Sequence, residues 1–495
     1  MSLINITNLT FAYEDGYDNV FENVSFQIDT DWKLGFTGRN GRGKTTFLKL
    51  LMGKYEYRGS ISASVDFEYF PYEVKDQSLN GLEIAEEMCP ALQYWQIVKE
   101  LNILEADEGI LYRPFSTMSG GERAKLLLAA MFLKENSFLL IDEPTNHLDI
   151  RGREVVSRYL NGKKSFILVS HDRAFLDGCV DHILSINKAD IEIIKGNFSV
   201  WLENKERKDS FELAENSKLK KEIKQLETAA KEKRFWSDRA ESGKIGIDPL
   251  KVDNKKGHRA KESARAKKIM ARAKSIETRQ ENAIKEKSKL LKNIESADKL
   301  KIYQSDYRVS RLITVNKLSV DYGSGAVFEN ISFEVNKGDR IALSGKNGSG
   351  KSSLIKLLRG ENVPYTGELA VGGGLIISYV SQDTSNVKGW LSEYAEKLGA
   401  EDSLFKAMLS KLNFTRLDID RRIEELSEGE KKKVLIAGSL CERAHIHIWD
   451  EPMNFIDVIS RMQIEELLTE FRPTMIFVEH DKAFVEKVAN KIVEL

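Results

Sequence analysis

The sequence predicts an α/β protein made of two tandem copies of one mainly parallel-sheet domain, joined by a long antiparallel α-helical hairpin. The first observation behind this is repetition. GRNGRGKTT at 38–46 recurs as GKNGSGKSS at 345–353, and VFENVSFQI at 20–28 recurs as VFENISFEV at 327–335. The offset between copies is 307 at Lys44/Lys351, 308 at Ser119/Ser427 and Glu143/Glu451, and 309 at His171/His480, too constant for chance matches. The second observation is alternation. Apolar runs such as LGFTG (34–38), SFLLIDE (137–143) and SFILVSHD (165–172) end in polar loops, and helical patterns such as KTTFLKLLMG (44–53) and GERAKLLLAAMFL (121–133) run between them. Strands alternating with helices imply a mainly parallel sheet with its sites at the strand carboxyl ends. The third observation is a helical, basic segment between the copies. The expected division is a first domain over 1–202, a linker over 203–305 with a tip loop near 237–257, and a second domain over 306–495.

Composition narrows the function classes. The 495 residues amount to about three domains' worth of chain, and 41% hydrophobic residues suffice for more than one core, which excludes global disorder. Cys89, Cys179 and Cys441 are far apart with no CxxC pair, so neither a disulfide framework nor a structural zinc site is expected, and a reducing cytosol fits. The longest apolar run, Leu126 to Leu133, is bracketed by Lys125 and Lys134 and falls well short of a spanning helix. No signal peptide is expected from MSLINITNLTFAYED. The net charge of -1 is a cancellation: residues 203–300 hold 28 Lys+Arg and 18 Asp+Glu, leaving 47 basic and 58 acidic residues elsewhere. Within that segment 250–300 carries 16 basic against 7 acidic residues, a cue for a polyanionic partner, although a solvated helical face would look the same.

Each copy carries the same chemistry in the same order. GxxxxGKT at Gly38–Thr45 lies between a strand and a helix, so Gly38, Asn40, Gly41, Gly43 and Thr46 form a phosphate cradle. Lys44 then reaches the β/γ-phosphates and Thr45 offers a hydroxyl to Mg²⁺. Gly345, Asn347, Gly348, Gly350, Lys351, Ser352 and Ser353 repeat this arrangement. FSTMSGGE (115–122) places Ser119, Gly120, Gly121 and Glu122 at a helix start, a second anion-binding terminus, and ELSEGE (425–430) supplies Ser427, Gly429 and Glu430. LLIDE (139–143) and HIWDE (447–451) are apolar strands ending in two carboxylates. Asp142 and Asp450 are expected in the magnesium shell, while Glu143 and Glu451 orient or deprotonate an attacking water. His171 and His480 each follow a strand, at matching offsets, and suit a γ-phosphate contact. Tyr13 and Tyr322 follow the first strand and are candidates to stack on a purine, or simply to pack.

In this order, and twice over, the P-loop, SGGE, IDEPTNHLD and SHD motifs resemble ATP-binding cassette (ABC) domains. The fused pair, with EPTNHLD running on to SHDRAFLD and no membrane span, resembles the F subfamily of these ATPases. The resemblance covers nearly the whole chain. It implies two tandem P-loop ABC ATPase domains and a soluble, cytoplasmic, monomeric protein whose two cassettes sandwich two ATPs. Each site then joins one copy's P-loop to the other's signature. Site one pairs Lys44, Glu143 and His171 with a second signature that reads SEGE, so Glu428 adds an acid near a triphosphate. Site one also has Tyr72 where the second copy has Gln382, a metal and ATP ligand by resemblance. Site two pairs Lys351, Gln382, Glu451 and His480 with the intact Ser119-Gly120-Gly121. Site two is therefore expected to turn over normally and site one more slowly. The second copy also departs from the pattern in reading EPMNFID.

In the joining segment, Leu219, Ile223, Leu226 and Ala230, and then Ala266, Ile269, Met270, Ala273 and Ile276, recur at helical spacing around the glycine- and proline-bearing break at 242–257. Thirty-odd residues per helix give an arm on the order of 50 Å. Lys244, Lys255, Lys256, Arg259, Lys261, Arg265 and Lys268 suit RNA phosphates, and Ile245 and Ile247 at the tip suit insertion among bases or capping of the helix pair. By resemblance this is the inter-domain linker of the antibiotic-resistance branch of the F subfamily, the Lsa and Vga types. That implies binding to the 70S ribosome at the exit site, contacts with 23S rRNA and P-site tRNA, and displacement of lincosamides, pleuromutilins or streptogramin A, with ATP hydrolysis driving release. Only 47 positions separate Tyr72 from Ser119 and 45 separate Gln382 from Ser427, which leaves no room for the extra arm of translation-factor members. The chain ends at Leu495 just after its last strand, so no C-terminal extension is expected. The rival readings are a general translation factor that rescues stalled ribosomes, the ATPase subunit of a membrane transporter, and a DNA-maintenance ATPase. Neither a membrane nor DNA is the expected partner.

Overall fold

The computed structural model describes residues 2–13, 19–146, 148–186, 191–211, scattered positions over 214–228, and 305–495 except 324, 347 and 413. Asn347 and the linker residues Lys244, Ile245, Ile247, Lys255, Lys256, Arg259, Lys261, Arg265 and Lys268 lie outside the described residues, as does the expected hairpin tip. The chain divides into two units. One comprises Met1–Trp201 with Ala297–Leu495, the other Leu202–Ser296. Of the second unit, residues 202–211 are helical, with Arg207 Nη2 paired to Glu203 Oε1 at 2.6 Å one turn back.

In the first unit the first copy contributes strands β1 (Leu3–Phe11), β2 (Phe21–Asp29), β3 (Lys33–Gly38), β4 (Arg58–Ser62), β5 (Asp66–Phe70), β6 (Ser137–Asp142), β7 (Phe166–Val169), β8 (His182–Ile186) and β9 (Ile191–Lys195). Strands β2-β1-β4 form an antiparallel sheet, and β5-β6-β7-β3-β8-β9 form a second sheet, parallel except for β9. The apolar runs expected as strands are strands. Phe138 to Ile141 and all of β7 are buried, as a sheet covered on both faces requires. Leu34, Phe36, Phe47, Phe138, Leu140 and Ile167 pack into one core with Ile4, Ile6 and Ile28 from the antiparallel sheet.

The second copy repeats the plan with β10 (Arg311–Asp321), β11 (Ala326–Asn336), β12 (Arg340–Ser344), β13 (Tyr365–Val371), β14 (Ile377–Val380), β15 (Ile446–Asp450), β16 (Met475–Val478) and β17 (Lys491–Glu494). Its antiparallel sheet runs β11-β10-β13 and its parallel sheet β14-β15-β16-β12-β17. The order β6-β7-β3, matched by β15-β16-β12, brings the three strands that end in the predicted motifs side by side. The phosphate loop, the paired carboxylates and the histidine therefore emerge at one sheet edge. Between Tyr72 and Ser119 stand the helices Gly81–Met88 and Tyr94–Ile103; in the second copy the equivalent interval holds Leu391–Lys397 and Asp402–Lys411. Among the described residues no helix is long and apolar enough to cross a membrane.

Candidate active site

Each P-loop helix, Lys44–Leu51 and Lys351–Leu358, starts from a glycine in the left-handed region, Gly43 at φ 87° and Gly350 at φ 92°. A Cβ at Gly43 would stand 2.5 Å from Val20 Cγ1, and one at Gly350 2.6 Å from Val327 Cγ1. The repeated VFEN strand is thus the wall that fixes the loop. Lys44 Nζ donates to the carbonyls of Gly38 (2.7 Å) and Arg39 (3.2 Å), and Lys351 Nζ to those of Gly345 (2.8 Å) and Lys346 (2.9 Å). Burial lowers the pKa of both lysines, against the pull of nearby carboxylates. Tyr13 donates to or accepts from Thr46 Oγ1 at 2.6 Å, and Tyr322 donates to Ser353 Oγ at 3.0 Å. Both rings are about half exposed beside their loops, 45% and 51%.

Thr45 Oγ1 donates to Asp142 Oδ2 at 2.9 Å. A hydroxyl beside a carboxylate at a phosphate loop fits Mg²⁺, which takes its remaining ligands from phosphate and water. Among the described residues no cluster of three or more His, Cys, Asp or Glu could hold a metal alone. Asp450, buried at the end of β15, is pushed up to about 6 by burial and by Glu451. Glu143 and Glu451 sit at φ 51° and 47°, an unfavourable region for these residues, and each backbone N–H is held by a carbonyl of the next strand, Val169 at 2.9 Å and Val478 at 3.0 Å. Each carboxylate faces its histidine: His171 Nε2 lies 3.4 Å from Glu143 Oε1 and His480 Nε2 3.5 Å from Glu451 Oε1. The two glutamates differ in their surroundings. Burial and Asp142 push Glu143 up to about 8. Glu451 stays below its ordinary value, because His480, Lys432 and Asn454 outweigh its burial. Its Oε2 accepts from Gln382 Nε2 at 2.9 Å and Asn454 Nδ2 at 2.6 Å. Burial, with Lys44 and Arg461 nearby, holds His171 well below the usual imidazole range.

The two copies meet at these loops. Ser119, Gly120, Gly121 and Glu122 of the first copy line a cleft of about 960 Å³ with Gly348, Gly350, Lys351, Ser352, Ser353, Gln382, Glu451 and His480 of the second. On the other side Asn40 Nδ2 donates to Phe455 O at 2.6 Å, and a Cβ at Gly429 would stand 2.7 Å from Asn40 Nδ2. Each P-loop therefore faces the other copy's signature, openly at site two and in direct contact at site one.

Two expectations need amending. Glu122 and Glu430 spend their carboxylates on capping boxes: each Oε2 accepts from the N–H of its N-cap serine, Ser119 or Ser427, at 2.8 Å, and also from that serine's hydroxyl at 2.8 Å. Glu428 is bound within its own copy, accepting from Thr384 Oγ1 and, at 3.0 Å, from Lys431 Nζ. The expected repulsion of a triphosphate is thus offset by local partners. A further tyrosine, Tyr69, three residues before Tyr72, donates its OH to Asp142 Oδ2 at 3.0 Å. Strand alternation could have found it, since Tyr69 lies on β5, which pairs with β6. The motif reading also missed Arg153 and Arg461. Each donates Nη1 to the aspartate after its histidine, Asp172 at 2.8 Å and Asp481 at 3.3 Å. Their shared offset of 308 was the available signal.

Two phosphate loops, each closed by the partner copy's helix terminus and backed by a carboxylate pair and a histidine, define a twin-site nucleotide hydrolase. The family of ABC transporter domains matches residues 21–146 and 328–454, so the chain belongs to that family, binds ATP through both domains and is an ATPase. It is similar to the ribosome protection protein VmlR of Bacillus subtilis (strain 168), 28% identical over 99% of this chain and 86% of that protein. It is also similar to the energy-dependent translational throttle protein EttA of Haemophilus influenzae, 26% identical over 96% of this chain and 89% of that protein. Relatives of this kind are ABC-F proteins, and the chain has their tandem-domain plan. An archaeal ribosome recycling factor, crystallised with a ribosomal stalk protein, shares the fold with a TM-score of 0.64 at 20% identity, covering 98% of this chain and 87% of that chain.

Proposed function

We propose that this ATPase acts on the 70S ribosome at the exit site, closing its two cassettes on ATP, and that its linker dislodges antibiotics bound at the peptidyl-transferase centre. The observation that carries the ribosomal part is the likeness to a ribosome protection protein along 99% of the chain. In each site the P-loop lysine binds the β/γ-phosphates. Thr45 with Asp142, and Ser352 with Asp450 and Gln382, hold Mg²⁺, which when bound offsets charge on the phosphate oxygens. Ser427 and Gly429 close site one, and Ser119, Gly120 and Gly121 close site two. Glu143 and Glu451 orient the attacking water and take its proton. His171 and His480 contact the γ-phosphate, and Tyr13 and Tyr322 stack on the purine. Lys244, Lys255, Lys256, Arg259, Lys261, Arg265 and Lys268 grip rRNA or tRNA phosphates, with Ile245 and Ile247 at the tip.

A translation factor that relieves stalled ribosomes is the second reading, favoured by the 26% identity to the translational throttle protein. Against it stands the Tyr72–Ser119 interval, which two short helices fill as in the second copy. The test is sedimentation of the Glu143→Gln, Glu451→Gln double variant with 70S ribosomes and ATP. Co-sedimentation is expected, and its absence overturns both ribosomal readings. Drug tolerance conferred on a susceptible host then separates them: protection requires it, and a stalling factor does not.

A further inference from the structure

The signature helix of the second copy, Glu428–Cys441, touches both nucleotide sites. At its start Gly429 lies against Asn40 of the first P-loop. From the same turn Glu428 accepts a hydrogen bond from Thr384 Oγ1, two residues past Gln382, whose side chain in turn donates to Glu451. One turn on, Lys432 is fully buried and donates Nζ to the carbonyls of Ser381 (2.8 Å) and of Glu451 itself (3.1 Å). The first copy holds Gly120, Val74 and Ala124 at the matching positions, none of which offers a side-chain donor or acceptor. A buried ammonium held on two main-chain carbonyls is a costly arrangement, and core packing does not call for it, since the first copy does without it.

Building on the cross-paired sites proposed above, we infer that Glu428, Thr384 and Lys432 are positioning residues that couple the sites. They carry a shift of the signature at site one to the loop bearing Gln382 and to the Glu451 carboxylate at site two. Only the second copy has these side chains, so the molecule has this link once, between the second signature at site one and the Gln382 loop at site two. Occupancy of site one therefore governs turnover at site two, and the first signature has no equivalent link back to Glu143. The route runs through the signature and the Gln382 loop, and depends on three side chains peculiar to this copy.

The test is the ATP dependence of steady-state hydrolysis by the full chain. Wild-type protein is expected to respond sigmoidally. Thr384→Val, a near-isosteric change to the residue of the first copy, should make the response hyperbolic and lower kcat by roughly fivefold or more. The melting midpoint and the affinity for a fluorescent ATP analogue should stay unchanged. Thr384→Ser, which keeps the hydroxyl, should restore the wild-type curve, and Lys432→Met should behave like Thr384→Val. A hyperbolic wild-type curve, or a sigmoidal curve with kcat within about twofold in both Thr384→Val and Lys432→Met, overturns the relay. Lys44→Ala separates the two levels of inference. If it too leaves turnover unchanged, the cross-paired reading falls with the relay; if it lowers turnover while Thr384→Val does not, the relay alone falls.

Discussion

At the scale of single residues, the two sites differ most in the ionisation of their glutamates. Glu143, pushed up to about 8 by burial and Asp142, is mostly protonated near neutrality, whereas Glu451, held below its ordinary value, is ionised there. Only the carboxylate form accepts a proton from water, so activity follows deprotonation and rises with pH through the pKa. In Glu451→Gln protein, where site one works alone, hydrolysis should climb about tenfold between pH 7 and 9. In Glu143→Gln protein, where site two works alone, it should be higher at pH 7 and should not rise between pH 7 and 9: Glu451 is already ionised there, and Lys432, lowered to about 8 by burial, loses its proton across the same range. A flat profile for Glu451→Gln protein would refute the assignment. So would loss of all hydrolysis in Glu143→Gln protein while Glu451→Gln protein keeps its activity. The slowness expected of site one from Glu428 thus has a different physical source, because Glu428 is satisfied by Thr384 and Lys431.

At the scale of elements, the P-loops show what a sequence makes legible. A left-handed backbone beside a packed strand tolerates only glycine, so the constraint is written as residue type at fixed spacing. Gly348 and Gly350 separate the two parts of that constraint: both have positive φ, but a Cβ meets nothing within 4 Å at Gly348 and stands 2.6 Å from Val327 at Gly350. Gly348→Ala should cost about 1 kcal/mol, from backbone strain alone, and Gly350→Ala about 2–4 kcal/mol with loss of ATP affinity at site two. Comparing unfolding midpoints and fluorescent-ATP binding for the two variants checks this, and equal losses would contradict it. The same logic explains why the strands and carboxylate pairs could be read in advance. Lys432 and Thr384 could not, because they act through backbone carbonyls or a residue distant in sequence and have no counterpart in the first copy, whereas Tyr69 and Arg461 recur as Tyr379 and Arg153 and that repetition was a usable signal. The capping roles of Glu122 and Glu430 were written in S-x-x-E, but the neighbouring glycines favoured an anion-site reading.

At the scale of the whole molecule, the near-zero net charge hides acidic cassettes and a basic joining segment, and within the cassette unit opposite charges tie the two copies together. Arg173, two residues after His171, pairs with Glu465 on the second copy's helix Val458–Phe471. Glu465 is fully buried and has a second partner in Lys487 at 3.3 Å. Lys482, the counterpart of Arg173, pairs instead with Glu154 at 3.7 Å, and that pair is exposed on both sides. An exposed pair is worth about 0–1 kcal/mol, whereas removing one partner from a buried pair strands a charge at a cost of about 3–5 kcal/mol. Lys487 recovers part of that cost here. Arg173→Met should therefore destabilise the protein by about 2–3 kcal/mol and weaken the contact between copies on the site-one side. Lys482→Met should lie within about 0.5 kcal/mol of wild type. Thermal midpoints measured at low and high salt decide the matter. The Arg173 effect should persist in high salt, where the screened Lys482 pair contributes nothing, and similar small losses in both variants would show that this buried contact does not hold the copies together.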